Sequence, residues 1–357
     1  MKAKKWILSV LCLALASLTF LASVSFFVDP LMFYRKSDRW TYFYHNRFSA
    51  AGLIKNGKYD AVIIGSSMTQ NYDLPYMRET LGIDPIKLNV GAMLPDETLM
   101  LYQKVQSRGK AKSFIINIDI NRFNVSPDLE PAYGHFPDYL LNDKISDDFK
   151  YLLGYETLTR FLPATVLLSV TKATGHAIPE SLRQFTDPDR IGEWYTERTF
   201  SAEKVLNSLK KKKEDFAAEN EIGESIDDIR AGTAVFIDTI LSQLKEDQNV
   251  VFVMPPRSAV FWAKLSEPER ETLHQIKEIF YDCCKGDARL RLVDMTAAEV
   301  ITELEHYSDT SHFDLYVQNK IVDAIKSGEY DATSQSLAEG RQLTDKAIND
   351  VLERAGL

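Results

Sequence analysis

Short apolar runs alternate with helical patterns along much of the chain, and this alternation constrains the fold more than any other feature. In the first stretch, apolar runs at 59–65, 85–90 and 112–119 are separated by helical patterns at 73–82 and 95–109. Runs of this length suit buried strands, and strands that alternate with helices form parallel sheets with right-handed crossovers. The stretch therefore predicts the βαβαβ beginning of an α/β sandwich.

The same alternation returns after a long interruption. From residue 233 the predicted elements are a helix at 233–246, a strand at 249–256, a helix at 267–283, a strand at 290–295 and, after a short helix, a last long helix at 311–328. The residues in between carry prolines, aromatic residues and irregular helical patterns without a clear strand. We therefore predict one α/β domain over 59–328, interrupted by a mostly helical insertion at about 124–232.

The N-terminus carries the pattern of a membrane anchor. Three lysines among residues 1–5 precede 23 uncharged, mostly apolar residues at 6–28, enough to cross a hydrocarbon core of ~30 Å. Positive charge on that side predicts a cytoplasmic N-terminus and an extracytoplasmic body in a single-pass protein of the cell membrane. A cleaved signal peptide is the alternative, but its apolar core usually has only ~7–15 residues, so we favour a retained anchor.

The segments that flank the α/β domain differ from it in composition. Residues 29–58 are aromatic and basic, which suits a juxtamembrane neck at the level of the lipid headgroups. Residues 329–357 form a polar tail, for which we predict a short amphipathic helix near 343–355. Inside the insertion, the run "FLPATVLLSV" at 161–170 is apolar but too short to span a membrane.

Charge and cysteine content argue against several classes of function. The net charge of −9 makes a nucleic-acid partner improbable, and the basic run at 210–213 leads into acidic residues, as on a solvated helix predicted at 201–219. Of the three cysteines, Cys12 lies in the apolar N-terminal segment. Cys283 and Cys284 are adjacent, as two free thiols on a helix or as a vicinal disulfide. No CxxC or similar metal-ligand spacing occurs, so we predict no metal. We also predict no cofactor.

Ser66 and Ser67 follow the first core strand directly. In an open parallel sheet, ligands bind beyond the carboxyl ends of the strands, and the start of the next helix adds the positive end of a helix dipole. The two serines therefore have two interpretations. A serine here either caps the following helix or acts as a nucleophile.

Three other loops of the predicted sheet carry residues that a serine nucleophile requires, namely a base, an orienting carboxylate and oxyanion donors. Asp309 and His312 lie three residues apart in the turn before the last long helix, while Gly91 follows the second strand and Asn121 the third. Each also has a local explanation, as a cap, a tight turn or a loop residue. Their common place at one edge of the sheet favours a catalytic site.

This arrangement resembles the SGNH/GDSL hydrolase superfamily. "IGSSM" resembles its block I with the nucleophile at Ser67, Gly91 matches block II, Asn121 matches block III, and "DTSH" matches the block V pair Asp309 and His312. The resemblance covers about 59–123 and 248–328. It implies a flavodoxin-like three-layer α/β/α sandwich with a parallel sheet.

The resemblance also implies a role for each matched residue. Ser67 would be the nucleophile, His312 the general base, and Asp309 the carboxylate that orients the imidazole. The backbone N–H groups of Ser67 and Gly91 and the side-chain amide of Asn121 would form the oxyanion hole.

Two positions depart from the usual motifs of the superfamily. Ser66 stands where block I usually has Asp, and block III, usually Gly-x-Asn-Asp, has Asp at position 119 and Arg at position 122. Asp119 adds negative charge near the oxyanion hole, and we considered Arg122 as the cation that would balance it. These departures resemble membrane-anchored envelope relatives, including those in teichoic-acid D-alanylation and polysaccharide O-acetylation.

The resemblance implies a membrane-anchored extracytoplasmic serine esterase or O-acyltransferase. Its substrate would be an acylated glycan or glycopolymer of the cell envelope or an exported polysaccharide, with acetyl as the expected acyl group. A membrane O-acyltransferase or the polysaccharide export machinery is the candidate protein partner. The alternatives are an inactive relative that binds glycan or scaffolds polymer assembly, and a generic flavodoxin-like binding domain, which would lack the usual GxGxxG phosphate loop here.

Overall fold

The computed structural model describes residues 2–121, 123, 134–194, 198–210 and 225–357. The chain divides into two compact units. Unit 1 comprises Met1–Lys58 and Phe136–Ile191, and unit 2 comprises Tyr59–His135 and Gly192–Leu357. Within the predicted insertion at 124–232, residues 136–191 belong to unit 1 with the neck, and the other described residues belong to unit 2.

The elements of each unit are given in chain order. Unit 1 contains the helices α1 (Lys2–Val28), α2 (Ala50–Asn56), α5 (Asp148–Leu152), α6 (Leu162–Ala173) and α7 (Arg183–Thr186), with a π-helical turn at Thr157–Phe161. Unit 2 contains β1 (Ala61–Gly65), α3 (Leu74–Leu81), β2 (Pro85–Asn89), α4 (Pro95–Arg108), β3 (Ser113–Asn117), α8 (Ala202–Asn207), α9 (Ile226–Leu241), β4 (Asn249–Met254), α10 (Ala259–Lys264), α11 (Glu267–Cys284), β5 (Leu290–Asp294), α12 (Leu315–Ser327) and α13 (Ser334–Ala355).

A five-stranded parallel sheet in the order β2-β1-β3-β4-β5 forms the centre of unit 2 and confirms the α/β class. All five residues of β1 and of β2 are buried, as expected for strands in a parallel sheet. Gly65 pairs with Asn89 in register, so β1 and β2 end side by side. The carboxyl ends of all strands meet at one edge, which is where the predicted site residues follow them.

Helix boundaries in unit 2 differ from the sequence prediction where side chains cap the ends. The helix predicted at 233–246 begins seven residues earlier, at Ile226, because the Ser225 side chain accepts the N–H of Asp228. α10 was not predicted. In the helix predicted at 201–219, α8 is followed by a 3-10 turn at Ser208–Lys210, and 211–219 lies outside the described residues.

The tail is more ordered than predicted. α13 is a 22-residue helix capped by Thr333, longer than the short helix predicted near 343–355. Its inner side, which includes Leu337, Thr344 and Val351, is buried, and the helix contacts α10 and α11. At the end of α11, Cys283 and Cys284 are free thiols, and burial raises the pKa of Cys284 to about 12.

Unit 1 begins with a helix that is long and apolar enough to cross a membrane, over Ala3–Val28. The chain after it turns sharply at Asp29, which has a positive φ of 49°. The Asp29 carboxylate accepts the backbone N–H groups of Phe33, Tyr34 and Arg35 at 2.8–2.9 Å. This buried carboxylate therefore satisfies three amides that follow the helix end.

Contacts far apart in the sequence join the neck to the middle of the predicted insertion. The Tyr151 hydroxyl donates to Asp29 Oδ1 at 2.8 Å and accepts the N–H of Leu31 at 3.2 Å. Phe43 stacks on Phe185 with ring centroids 5.0 Å apart. These interactions explain why residues 29–58 and 136–191 form one unit.

Candidate active site

The two serines after β1 have different local roles. The Ser66 side chain accepts the N–H of Met68 at 3.3 Å and caps the 3-10 turn Ser67–Thr69, and the residue is only 4% exposed. The Ser67 hydroxyl instead lies 2.9 Å from Nε2 of His312. The capping interpretation therefore fits Ser66, and the geometry expected of a nucleophile is found at Ser67.

The second ring nitrogen of His312 faces a carboxylate. His312 Nδ1 lies 2.9 Å from Asp309 Oδ2 and 3.0 Å from Oδ1. Oδ1 of Asp309 also accepts the backbone N–H groups of Ser311 and His312, both at 2.9 Å. Although burial alone raises the pKa of Asp309, the hydrogen bond and charge of His312 and these two amides hold it well below its ordinary value.

An ionised Asp309 determines the tautomer of the imidazole. The carboxylate can only accept, so Nδ1 carries the proton and Nε2 presents its lone pair to the Ser67 hydroxyl. Ser67, His312 and Asp309, predicted from separate parts of the sequence, thus form one continuous hydrogen-bonded chain. This chain can transfer a proton away from the Ser67 hydroxyl.

The turn that carries Asp309 and His312 is held in place by its own backbone and by the residues after β4. The N–H of Ser308 donates to the carbonyl of His312 at 2.9 Å. Ser258 donates both its N–H, at 3.1 Å, and its hydroxyl, at 2.9 Å, to the carbonyl of Thr310. The position of the imidazole is therefore fixed from a neighbouring strand end.

Arg257, which sequence reasoning missed, balances the charge of Asp119. The Arg257 guanidinium lies 3.4 Å from Asp119 Oδ1, with side chains only 7% and 13% exposed, and donates to the Ser311 hydroxyl at 2.6 Å. Asn117 also donates to Asp119 Oδ1 at 3.0 Å. Arg122, the cation first considered, lies outside the described residues. The only sequence signal for Arg257 is an arginine shortly after the fourth strand.

Gly91 and Asn121 follow β2 and β3, which are the two strands next to β1 in the sheet. The N–H of Val90 donates to the carbonyl of Gly65 at 3.0 Å, which joins the two strand ends next to Gly91. Ala92 follows with a positive φ of 50°, so a tight turn begins here. Asn121 is buried four residues after the end of β3.

Trp194 contacts two members of the hydrogen-bonded chain and was not predicted. Its indole N–H donates to the backbone carbonyl of Ser67 at 3.4 Å, and its ring stands edge-on to His312 with centroids 5.1 Å apart. The N–H of Trp194 donates to the side chain of the buried Asn71 at 3.0 Å. Trp194 therefore packs against the imidazole and restricts its rotation.

Arg198 completes the surroundings of Asp309. Its guanidinium donates to Asp309 Oδ2 at 2.8 Å and lies 4.4 Å from the ring centre of Trp194. Both charged side chains are about 40% exposed, at 39% and 41%, so the pair contributes little to stability. Its effect is local, because the cation reduces the negative charge that Asp309 presents to His312.

A second histidine of the same turn shows what distinguishes His312. His306 Nδ1 also pairs with a carboxylate, Asp314 Oδ2, at 2.8 Å. These two residues lie eight apart, not three apart like Asp309 and His312. Its ring stacks on Tyr316 with centroids 4.2 Å apart. A carboxylate partner alone therefore does not identify a base, and the hydroxyl on the other ring nitrogen sets His312 apart.

The site thus combines a serine hydroxyl, an imidazole oriented by an ionised carboxylate, and two flanking strand-end loops. This combination can in principle activate a hydroxyl for attack on an electrophilic carbonyl. Comparison of the chain with models of known protein families and with curated proteins found no match.

Proposed function

We propose that the protein is a membrane-anchored serine esterase or O-acyltransferase with Ser67 as its nucleophile. The observation that carries the proposal is the pair of hydrogen bonds from Ser67 through His312 to Asp309, at 2.9 Å each. The resemblance of the sequence motifs to the SGNH/GDSL superfamily supports it, as does the place of the three residues at the carboxyl edge of a parallel sheet.

The first step forms an acyl-enzyme. The Ser67 oxygen attacks the carbonyl carbon of an ester while His312 Nε2 takes the hydroxyl proton, and Asp309 stabilises the resulting imidazolium. The tetrahedral intermediate carries its negative charge on the former carbonyl oxygen. We assign the oxyanion donors to the N–H groups of Ser67 and Gly91 and to the Asn121 amide, and one such donor is worth about 3 kcal/mol.

Collapse of that intermediate breaks the ester bond. His312 returns its proton to the leaving alkoxide, and the acyl group remains on Ser67. In the second step, His312 takes the proton of an acceptor hydroxyl, whose oxygen attacks the acyl-enzyme. When this second intermediate collapses, the bond between the acyl carbon and the Ser67 oxygen breaks and His312 returns the proton to that oxygen. Water as acceptor gives an esterase, whereas a sugar hydroxyl gives an O-acyltransferase.

The substrate class follows from the anchor and the resemblance together. An enzyme held at a membrane by α1 meets polymers that are made or exported there, so we propose an acylated, above all acetylated, polysaccharide of the cell envelope as its substrate. The lysines before α1 favour an extracytoplasmic site. A membrane O-acyltransferase or the export machinery would be the corresponding protein partner.

An inactive relative that binds glycan is the competing hypothesis. The charge of Asp119 favours this hypothesis, because it opposes an oxyanion unless a cation balances it. Arg257 lies 3.4 Å from that carboxylate and balances its charge, which weakens this electrostatic argument against catalysis. The geometry therefore favours the enzyme.

The proposal is tested on the full chain in detergent with a fluorophosphonate probe and with turnover of a nitrophenyl ester and an acetylated sugar. We expect Ser67→Ala to abolish both labelling and turnover, and His312→Ala to abolish turnover, because each removes an atom of the proton path. Ser66→Ala is the matched control. It removes only a cap worth about 1 kcal/mol and should keep substantial activity.

The outcome that overturns the assignment is specific. Labelling and full turnover in Ser67→Ala would exclude this serine as the nucleophile, and loss confined to Ser66→Ala would transfer the role to its neighbour. A wild-type protein that is folded but neither labelled nor active would favour the glycan-binding alternative.

A further inference from the structure

The helix α6 packs one side against the rest of unit 1 and exposes apolar side chains on the other. Thr165 and Leu168 are buried on the inner side. On the other side, Val166, Leu167 and Val170 are 38%, 67% and 54% exposed, and Pro163 is exposed one turn earlier. These positions recur every three to four residues, so they form one continuous stripe. We call Pro163, Val166, Leu167 and Val170 the α6 stripe.

The α6 stripe belongs to an element that contacts the membrane helix. Both α6 and α5 contact α1 within unit 1. Segments on either side of α5 expose further large apolar side chains, with Ile145 at 85% and Tyr155 at 78% exposure, and Phe149 within α5 is 59% exposed. Unit 1 therefore exposes several large apolar side chains on the elements that contact α1, and clustered exposed apolar surface is typical of an interaction site.

The depth of α1 in a bilayer places these contacts near the hydrocarbon region. Its residues are exposed up to Leu21, and shielding by unit 1 begins at position 22. The uncharged run from Trp6 to Leu21 covers only about 24 Å at ~1.5 Å per residue, which is less than the ~30 Å of a hydrocarbon core. The bilayer must therefore extend past Leu21, to the level where the other helices of unit 1 contact α1.

The length of α6 and the basic residues at its ends suit a helix at the membrane surface. Its 12 residues span about 18 Å, so the helix is too short to cross the hydrocarbon core, and a place at the membrane surface suits its length. Arg160 precedes the helix and Lys172 lies in its last turn, where long basic side chains can reach the headgroups.

We propose that the α6 stripe lies in the membrane interface beside α1, with lipid acyl chains covering it. Unit 1 is then a two-part anchor, made of one spanning helix and one surface-lying helix. The contact of α6 with the membrane helix favours lipid over a second copy of the chain or another protein. The proposal is independent of the chemistry assigned to Ser67.

The test uses the full chain in nanodiscs of phosphatidylcholine and phosphatidylglycerol. Cys12, Cys283 and Cys284 are replaced by serine, and an environment-sensitive fluorophore is attached through Leu167→Cys or, separately, Val170→Cys. Leu343→Cys on α13 is the matched control, because Leu343 is an exposed helical leucine of unit 2, at 52%. Quenching by lipids brominated on the acyl chain is compared with quenching by aqueous iodide.

We expect both stripe positions to be quenched several-fold more by brominated lipid than the control, and several-fold less by iodide. Because both side chains are largely exposed, the labels do not depend on repacking of the core. Iodide access equal to that of Leu343→Cys would overturn the proposal. Shielding from iodide without quenching by lipid would also overturn it and would indicate a second copy or another protein on the stripe.

Discussion

Asp29 in unit 1 and Asp309 in unit 2 perform the same local task in different surroundings. Each carboxylate accepts backbone N–H groups from residues just after it in the chain, three for Asp29 and two for Asp309. Both therefore fix a sharp turn directly after or before a helix.

The remaining partners of the two carboxylates differ. Asp29 is 1% exposed, its fourth partner is the neutral Tyr151 hydroxyl, and burial raises its pKa against the effect of its hydrogen bonds. Asp309 faces the His312 imidazole, and its pKa is lowered despite burial. The comparison shows that turn formation leaves a carboxylate with unused acceptor capacity. Asp29 uses it for a neutral hydroxyl, and Asp309 uses it for the imidazole that faces Ser67.

The largest effect should come from Asp309→Asn. The asparagine keeps a carbonyl oxygen for the turn, but an amide N–H facing Nδ1 of His312 forces the proton onto Nε2, which then cannot accept from Ser67. In a serine protease the same change costs ~10⁴ in rate. We expect a loss of that order in kcat for ester turnover, with the melting temperature nearly unchanged.

Steady-state kinetics and thermal unfolding of the same Asp309→Asn preparation check this prediction. A loss of activity that follows the loss of folded protein would assign Asp309 to structure, like Asp29. Activity within a few-fold of wild type would remove Asp309 from the proposed proton path.

Asp29→Asn should give the opposite pattern. The amide nitrogen of Asn replaces one acceptor oxygen of Asp29, and its N–H groups then face other hydrogen-bond donors. A buried N–H or hydroxyl is left without an acceptor, which costs about 2 kcal/mol. We expect unit 1 to unfold at a lower temperature, while turnover per folded molecule stays at the wild-type level. Asp148→Asn, which affects a partly exposed hydrogen bond with Tyr34 of 2.9 Å, is the control with a smaller loss. Equal losses in both variants would show that burial of Asp29 is unimportant.

Features encoded locally were accessible from the sequence. The strands appear as apolar runs of fixed length, and their order places Ser67, Gly91 and Asn121 at strand ends on one edge. Asp309 and His312 could be paired because they lie three residues apart in one turn. Proximity of Ser67 to His312 follows from topology, since both follow elements of the same sheet.

Features that depend on distant partners were not accessible. Asp29 and Tyr151 lie 122 residues apart, and Arg257 and Asp119 lie 138 apart, so no local pattern announces either contact. Trp194 and Arg198 lie in a region without alternating strands and helices. Nothing in the sequence around them indicates that they contact His312 and Asp309. The start of α13 was missed because its first turns are polar and the capping signal at Thr333 is weak.

The smallest predicted effect concerns stability in acid, where Asp29 and Asp309 should change the free energy of unfolding in opposite directions as the pH falls. The pKa of Asp309 is lower in the folded protein than in the unfolded chain, so its contribution to the free energy of unfolding is present above pH ~4 and is lost as the pH falls below that value. The pKa of Asp29 is raised, so the folded state takes up its proton first, and the contribution of Asp29 grows as the pH falls through its folded pKa toward ~4.

Replacing each carboxylate by an amide should therefore change how steeply the free energy of unfolding falls in acid, and the two replacements should change it in opposite directions. Between pH 6 and 3, Asp309→Asn should lose less stability than the wild type, by about 1 kcal/mol after allowance for solvent screening of a side chain that is 41% exposed. Asp29→Asn should lose more stability than the wild type over the same range. Other groups, such as His45 and His274, titrate in all three proteins and cancel in the difference. Calorimetric unfolding at half-unit steps of pH measures these slopes. If both variants differ from the wild-type slope in the same direction, the two carboxylates do not differ as their partners indicate.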